Sequence, residues 1–344
     1  MIWAEAEGCR VVDADGRRYL DLSGGFGVAA LGHRNPEVTA AIAAQAERCI
    51  HALGDLAEAD VTAQLRERLG REGFEVILGV TGEDAVDIAL RTALLVTRRT
   101  GIVAFEGGYH GMGLAALAAT AFERFRRPFA AWLPRPVHRF PYAEDPGPLP
   151  PDAACVIVEP VQGRGGARVP PDGFLDMLRA RCDEAGALLI ADEVYTGLGR
   201  TGAMWASGGR ADVIACGKAL GGGLPISACL MRLEHAEAWA AVTPGPEAIY
   251  THTHTGNPLA CAAALVVLDR VPELFERVRA AGQRFAAAGW HGAGLLRGKT
   301  GEAAHALERG VIVVPAGEHG ELMSATPPLT ITDDEIDEAL ELLK

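Results

Sequence analysis

Lys218 stands in the run Ala215-Cys216-Gly217-Lys218-Ala219-Leu220-Gly221-Gly222-Gly223, and 26 positions before it Asp192 closes the apolar stretch Leu188-Leu189-Ile190-Ala191. A primary amine in a glycine-rich turn and a carboxylate at the end of a preceding strand form a chemical pair. The amine can make a Schiff base with an aldehyde, and the carboxylate can keep a pyridine nitrogen protonated so that the ring accepts electrons. Pyridoxal phosphate is the cofactor that needs both. A lysine in a flexible loop is otherwise a surface residue, so the reading depends on what surrounds it.

The elements that must carry this pair come from a chain of 344 residues, enough for one large domain or two modest ones. It is 49% hydrophobic and 22% charged, as expected for an enzyme with a sizeable core. A net charge of −13 argues against nucleic acid, because no basic stripe exists to displace counterions from phosphates. The short cluster Arg124, Arg126, Arg127 beside Phe125 and Phe129 reads as a solvated or interface turn. Seven cysteines show no CxxC pair and lie partly in apolar runs, so they read as reduced, buried thiols of a cytoplasmic protein. No stretch reaches the ~18 apolar residues of a membrane span, and with no basic n-region and apolar h-region at its start no secretion signal is expected.

From about residue 60 to 230, helical patterns alternate with short apolar runs. Helices are expected at 60–70, 83–98 and 172–185, and strands at Val76–Val80, Ile102–Phe105, Cys155–Val158, Leu188–Ala191, Val213–Cys216 and Ile226–Met231. Such alternation predicts an α/β fold with a mainly parallel sheet flanked by helices. Its catalytic groups should gather beyond the strand C-termini. Residues 1–35 begin with a hairpin, Arg10-Val11-Val12 against Tyr19 to Leu22. A glycine-rich link from Ser23 to Gly27 follows, then a helix from Pro36 to about Arg48 capped by Asn35. Arg135 to Asp152 reads as a proline-rich connecting loop, and Pro258 opens a long helix. The last seventy residues read as a smaller α/β unit, with a strand at Val311–Val314 and a helix from Asp333.

Taken in order, these segments resemble the class III (ω-amino-acid type) aminotransferases, pyridoxal phosphate enzymes of fold type I. The likeness runs from Asp13-Ala14-Asp15-Gly16-Arg17-Arg18-Tyr19 to Pro327-Pro328-Leu329-Thr330-Ile331-Thr332. It is most specific over Ile190-Ala191-Asp192-Glu193-Val194-Tyr195-Thr196-Gly197-Leu198-Gly199-Arg200-Thr201-Gly202 and the lysine loop. It implies a large domain over 36–269, with a seven-stranded type of sheet, and a small domain built from 1–35 and 270–344. By resemblance Lys218 is the Schiff-base lysine and proton shuttle, its pKa lowered by burial beside a cationic ring. Asp192 pairs with the pyridine nitrogen, Val194 packs on one ring face, and Tyr109 of Gly107-Gly108-Tyr109-His110-Gly111 stacks on the other. His110 and Glu159 also fall among the cofactor-binding positions.

The resemblance further assigns Thr81-Gly82-Glu83 to a phosphate cup at a helix start, where N–H groups and the helix dipole suit an anion. Glu83 departs from the small or hydroxyl residue usual there. A carboxylate ~4 Å from phosphate would cost roughly 4 kcal/mol at an effective dielectric near 20, so either its side chain points away or the cofactor sits slightly differently. Thr253, in His252-Thr253-His254-Thr255-Gly256-Asn257-Pro258, matches a threonine that reaches the phosphate of a neighbouring subunit, which implies a homodimer. His252 and His254 have no third partner at metal-binding spacing, so no metal is expected.

Two positions bear on substrate choice. Relatives carry a glutamate after the Gln-Gly of Glu159-Pro160-Val161-Gln162-Gly163, paired with an arginine that holds the α-carboxylate of glutamate or 2-oxoglutarate. Here those positions are Arg164 and Ser324. Arg164 can supply the charge for a substrate carboxylate, or it can pair with a nearby acid. Tyr195 replaces a glutamine that bonds the cofactor's phenolic oxygen, and its hydroxyl is a candidate for the same bond. The chain is short for the family before Met1, around 145–152 and between Leu268 and Val311. A more open mouth, or a partner covering it, is therefore expected.

The function expected is transfer of an amino group from an amine or amino acid to an oxo acid or aldehyde. Aminomutases, decarboxylases and racemases share the scaffold. A nicotinamide oxidoreductase fits poorly: Gly197-Leu198-Gly199-Arg200-Thr201-Gly202 satisfies GxGxxG, but no amphipathic helix opens at Gly202. A non-catalytic binding protein would have no use for the Lys218 and Asp192 pair.

Overall fold

The computed structural model describes residues 1–344 except Asp55, Glu72, Arg135 and 244–247. Its central sheet has seven strands: β1 (Phe74–Gly79), β2 (Gly101–Phe105), β3 (Val137–Phe140), β4 (Ala153–Val158), β5 (Leu188–Asp192), β6 (Val213–Cys216) and β7 (Ser227–Arg232). They lie in the order β1-β7-β6-β5-β4-β2-β3. β7 is antiparallel to both neighbours, while β6, β5, β4, β2 and β3 run parallel.

Every residue of β2, β4, β5 and β6 is buried. A sheet covered on both faces requires this, and it explains why these strands read as unbroken apolar runs. The two faces separate by the two-residue period of a strand. Ile102, Ile157, Ile190 and Val213 face the helix Gly82–Thr97 through Ala85, Ile88, Ala89 and Ala93. Val103, Phe105, Val156 and Leu189 face the helix Phe174–Ala185 through Phe174, Leu178 and Cys182.

The helix starts follow their capping residues. Asn35 accepts from the N–H groups of Glu37 and Val38 ahead of Pro36. Thr81 and Thr332 each form a capping box, with Asp84 and Glu335 respectively. Among the described residues no helix is long and apolar enough to cross a membrane.

The two ends of the chain meet in a four-stranded sheet of Trp3–Glu7, Arg10–Asp13, Arg18–Asp21 and Val311–Ile312. A third sheet holds His291–Ala293, Leu296–Thr300, Leu322–Ala325 and Val314–Ala316.

Two sequence expectations are corrected. The loop expected over 135–152 contains β3, whose residues pair in parallel with Ile102 to Phe105. Its half-buried His138 and Arg139 interrupt the apolar pattern that marks the inner strands; Arg135, where that loop was expected to begin, lies outside the described residues. The strand expected over Val311–Val314 is two strands. Val311 and Ile312 pair with Leu20 and Asp21, whereas Val314 to Ala316 pair with Leu322 to Ser324. An apolar run does not encode which backbone it will meet, so the change of sheet at Val313 left no trace in the pattern.

Candidate active site

The C-terminal ends of the sheet strands deliver the polar groups. Asp192 is the last residue of β5, Lys218 lies two residues beyond β6, Glu159 directly follows β4, and Thr81 lies two residues beyond β1. Together with Gly82, Glu83, Tyr109, His110, Arg164, Val194 and Tyr195 they line one cavity of about 490 Å³. Another part of its wall comes from the ends of the chain: Phe26 from the glycine-rich link, and Val314, Pro315, Ala316 and Ser324 from the third sheet. Sequence reading had marked Ser324 but gave no sign of Phe26, Met112 or 314–316. Only the glycines around Phe26, which itself has φ +63°, hinted at an unusual turn.

Asp192 is buried, 3% exposed. One of its oxygens lies 2.7 Å from Nδ1 of His110, and the other accepts from the N–H of Val194 at 3.1 Å. His110 is itself fixed, its N–H donating to the Thr120 hydroxyl at 2.9 Å. The carboxylate is thereby aimed by two elements at once.

Lys218 has φ +35°, in the left-handed region that a side chain adopts only when its surroundings impose it. Its Nζ lies 4.0 Å from the centre of the Tyr195 ring. Burial brings the amine pKa down to about 8, against the opposing pull of Asp192 and Glu159. This agrees in direction with the lowering expected from the sequence.

Glu159 is a buried bracket. Its two oxygens accept from the N–H groups of Tyr109 at 2.8 Å and Gly163 at 3.0 Å. It thus ties the loop after β2 to the loop after β4. Burial pushes its carboxyl up to about 7, with His110 opposing and Asp192 adding.

At the start of the helix Gly82–Thr97, Thr81 and Asp84 close the capping box. The first N–H groups of a helix have no partner within it, so Gly82 and Glu83 present donors to an anion. A side chain at 82 is excluded, because a Cβ there would stand 2.7 Å from Cγ1 of Val194. Glu83 does turn its carboxylate aside. Oε2 accepts from the N–H of Met112 at 3.0 Å and of Gly113 at 2.7 Å, at the start of the helix Leu114–Ala119.

Tyr195 also meets the lysine with its ring. Its hydroxyl lies 3.5 Å from the Thr326 hydroxyl, while its ring lies beneath the lysine amine and against Gly163. The ring, not the hydroxyl, is what Lys218 meets. Packing decides this: a Cβ at Gly163 would stand 3.1 Å from the ring, so the glycine lets the ring approach.

Arg164 forms no ion pair among the described residues. Its guanidinium lies 4.9 Å from the Tyr109 ring centre and 5.0 Å from that of Phe125, and its buried Nε has no hydrogen-bond partner. Pairing with a nearby acid, the alternative left open by the sequence, does not occur here. Thr253 is exposed in a turn and does not line the cavity of its own chain. The neighbouring His252 lies 3.4 Å from Asp84.

The donor set suits pyridoxal phosphate: a helix start cleared by Gly82, a fixed carboxylate, an amine of lowered pKa, and Tyr109 and Val194 as walls for a ring. The comparisons agree. The family profile for aminotransferase class-III matches residues 1–291. The acetylornithine aminotransferase of Methanopyrus kandleri is 37% identical, over 97% of this chain and 91% of its own. The 4-aminobutyrate aminotransferase GabT of Escherichia coli is 32% identical, over 98% of this chain and 91% of its own. A structure of ornithine aminotransferase from Toxoplasma gondii, with partial occupancy of PLP at its active site, matches with a TM-score of 0.90 at 27% identity, covering 99% of this chain and 89% of that one. The chain belongs to the class III aminotransferases of PLP fold type I, and it is a pyridoxal phosphate-dependent transaminase.

Proposed function

We propose that Lys218 is the residue that holds the cofactor and moves the proton, and that Arg164 receives a carboxylate of the substrate. Bound in the cavity, the cofactor supplies an aldehyde carbon for the amino group and an electron-accepting ring. Nζ of Lys218, with its pKa near 8, is neutral often enough at physiological pH to act both as nucleophile and as base. Asp192, steadied by His110 and Val194, faces the position of a pyridine N–H. Tyr109 and Val194 confine the ring and exclude water. Thr81, Gly82 and Glu83 offer the helix start to the phosphate, and Glu159 holds Tyr109 in place.

The observation that carries this reading is that Lys218 and Asp192 line one cavity, the amine with its pKa lowered and the carboxylate fixed. The Arg164 guanidinium, stacked on two rings with no acid partner among the described residues, supports a carboxylate-bearing substrate, as an arginine fork binds carboxylate in two parallel bonds. The relatives' names make acetylornithine, 4-aminobutyrate and ornithine the amino donors to try first. The test is spectral. Protein loaded with pyridoxal phosphate should lose its aldehyde-form absorption when an amino donor alone is added, and regain it with an oxo acid. Lys218→Ala should abolish the exchange. Retention of the exchange by that variant would overturn the assignment.

We also propose a homodimer in which Thr253 reaches the neighbouring subunit's phosphate site. Thr253 is exposed beside a segment with outward apolar side chains, Ile50 at 60%, Leu53 at 64% and Leu56 at 56% exposure. That segment is tied to the threonine loop by Asn257 to the Ile50 carbonyl at 3.2 Å and by the rings of His51 and His254 at 5.4 Å. Residues 36–269 form the large domain, and 1–35 with 270–344 the small one. This division is supported by the sheets, since all seven central strands fall between Phe74 and Arg232. Seven free cysteines support a reducing, cytoplasmic setting.

A further inference from the structure

Ser324 sits in the strand Leu322–Ala325, its backbone paired to Gly298 on one side and Val314 on the other. The residue is 3% exposed, it lines the cavity, and its hydroxyl has no hydrogen-bond partner. A buried hydroxyl without a partner is uncommon, because it has lost water and gained nothing in return. Beside it the wall is apolar, made of Val314, Pro315 and Ala316.

Among the described residues lining the cavity, the cationic side chains are Lys218 and Arg164. Lys218 is committed to the cofactor in the reading above. Three acids, Glu83, Asp192 and Glu159, line the same space. One guanidinium is therefore left for substrate, and beside Ser324 a second carboxylate would meet a neutral hydroxyl and apolar carbon, with like charge elsewhere in the cavity.

We propose that Ser324 and Arg164 together select substrates with a single carboxylate: Arg164 takes the carboxylate, and Ser324 hydrogen-bonds a neutral part of the molecule. The class is oxo monoacids and amino acids without a second acid group, and di-acids are excluded. The inference rests on this cavity being the substrate site.

The test uses the full-length protein loaded with pyridoxal phosphate, with loading followed by absorbance. Binding of two unreactive acids of equal chain length, pentanoate and pentanedioate, is followed by calorimetry. Pentanoate should bind about tenfold or more tightly than pentanedioate. Arg164→Ala should weaken pentanoate by about tenfold or more and erase the preference, while Ser324→Arg should reverse it in favour of pentanedioate. Equal binding of the two acids by the unaltered protein, or unchanged pentanoate binding in Arg164→Ala, would overturn the selection. Neither result would touch the transaminase reading, which fails separately if the cofactor spectrum does not respond to an amino donor.

Discussion

Lys218 is held where an amine is costly to charge. Its pKa falls from the usual 10.5 to about 8 because burial outweighs the attraction of Asp192 and Glu159. In the cofactor-free protein the folded state therefore binds fewer protons at this group than the unfolded chain between those two values. The lysine destabilises the fold fully below pH 8, and the penalty fades as pH rises toward 10.5. Lys218→Met should raise the urea midpoint of the cofactor-free protein at pH 7, with a gain that shrinks by about pH 10. A gain independent of pH would contradict the lowered pKa. Uptake of pyridoxal phosphate, which needs the neutral amine, should quicken with pH and level off above about 8. The key residue types were legible in the sequence because imine chemistry demands them. The tilt of Tyr195 was not, since it depends on Gly163 leaving room and on Thr326 lying across from its hydroxyl.

Two carboxylates tie loops between elements together. Glu159 links the loop after β2 to the loop after β4, and Glu83 links the phosphate-side helix to the start of Leu114–Ala119. Glu83→Ala should leave two N–H groups to solvent and cost about 1 kcal/mol in urea unfolding. Amide exchange at Met112 and Gly113 should quicken; unchanged exchange there would show the bond to be idle. The inner strands and capped helices were readable because burial on both faces and the caps leave local marks, as at Asn35-Pro36 and Thr332 to Glu335. The edge strand β3 and the split at Val313 were not, because each is decided by a partner far along the chain. The same holds for the cavity wall: Val314 to Ala316 reach it only because the strand changes sheets.

A complete site, in the proposed dimer, draws on three parts of the molecule: the sheet ends, the two chain termini, and a neighbouring subunit's Thr253 loop. Replacing an exposed apolar residue beside that loop, as in Leu53→Asp, should shift sedimentation from dimer to monomer and weaken cofactor binding together. A dimer that persists with unchanged cofactor affinity would place the subunit contact elsewhere. The outward side chains of Ile50, Leu53 and Leu56 were not legible in the sequence, since pattern alone does not tell a core face from an interface.

The chain has three lysines, Lys218, Lys299 and Lys344. The Lys299 amine bonds the Ala288 carbonyl, and Lys344 pairs with Glu341 at the chain end. Borohydride reduction of the cofactor-loaded protein, followed by peptide mass mapping, therefore distinguishes among the three lysine amines. The cofactor mass should appear on the peptide holding Lys218 and be lost if an amino donor is added before reduction. Attachment at Lys299 or Lys344, or none at all, would contradict the assignment of this cavity as the site of amino transfer.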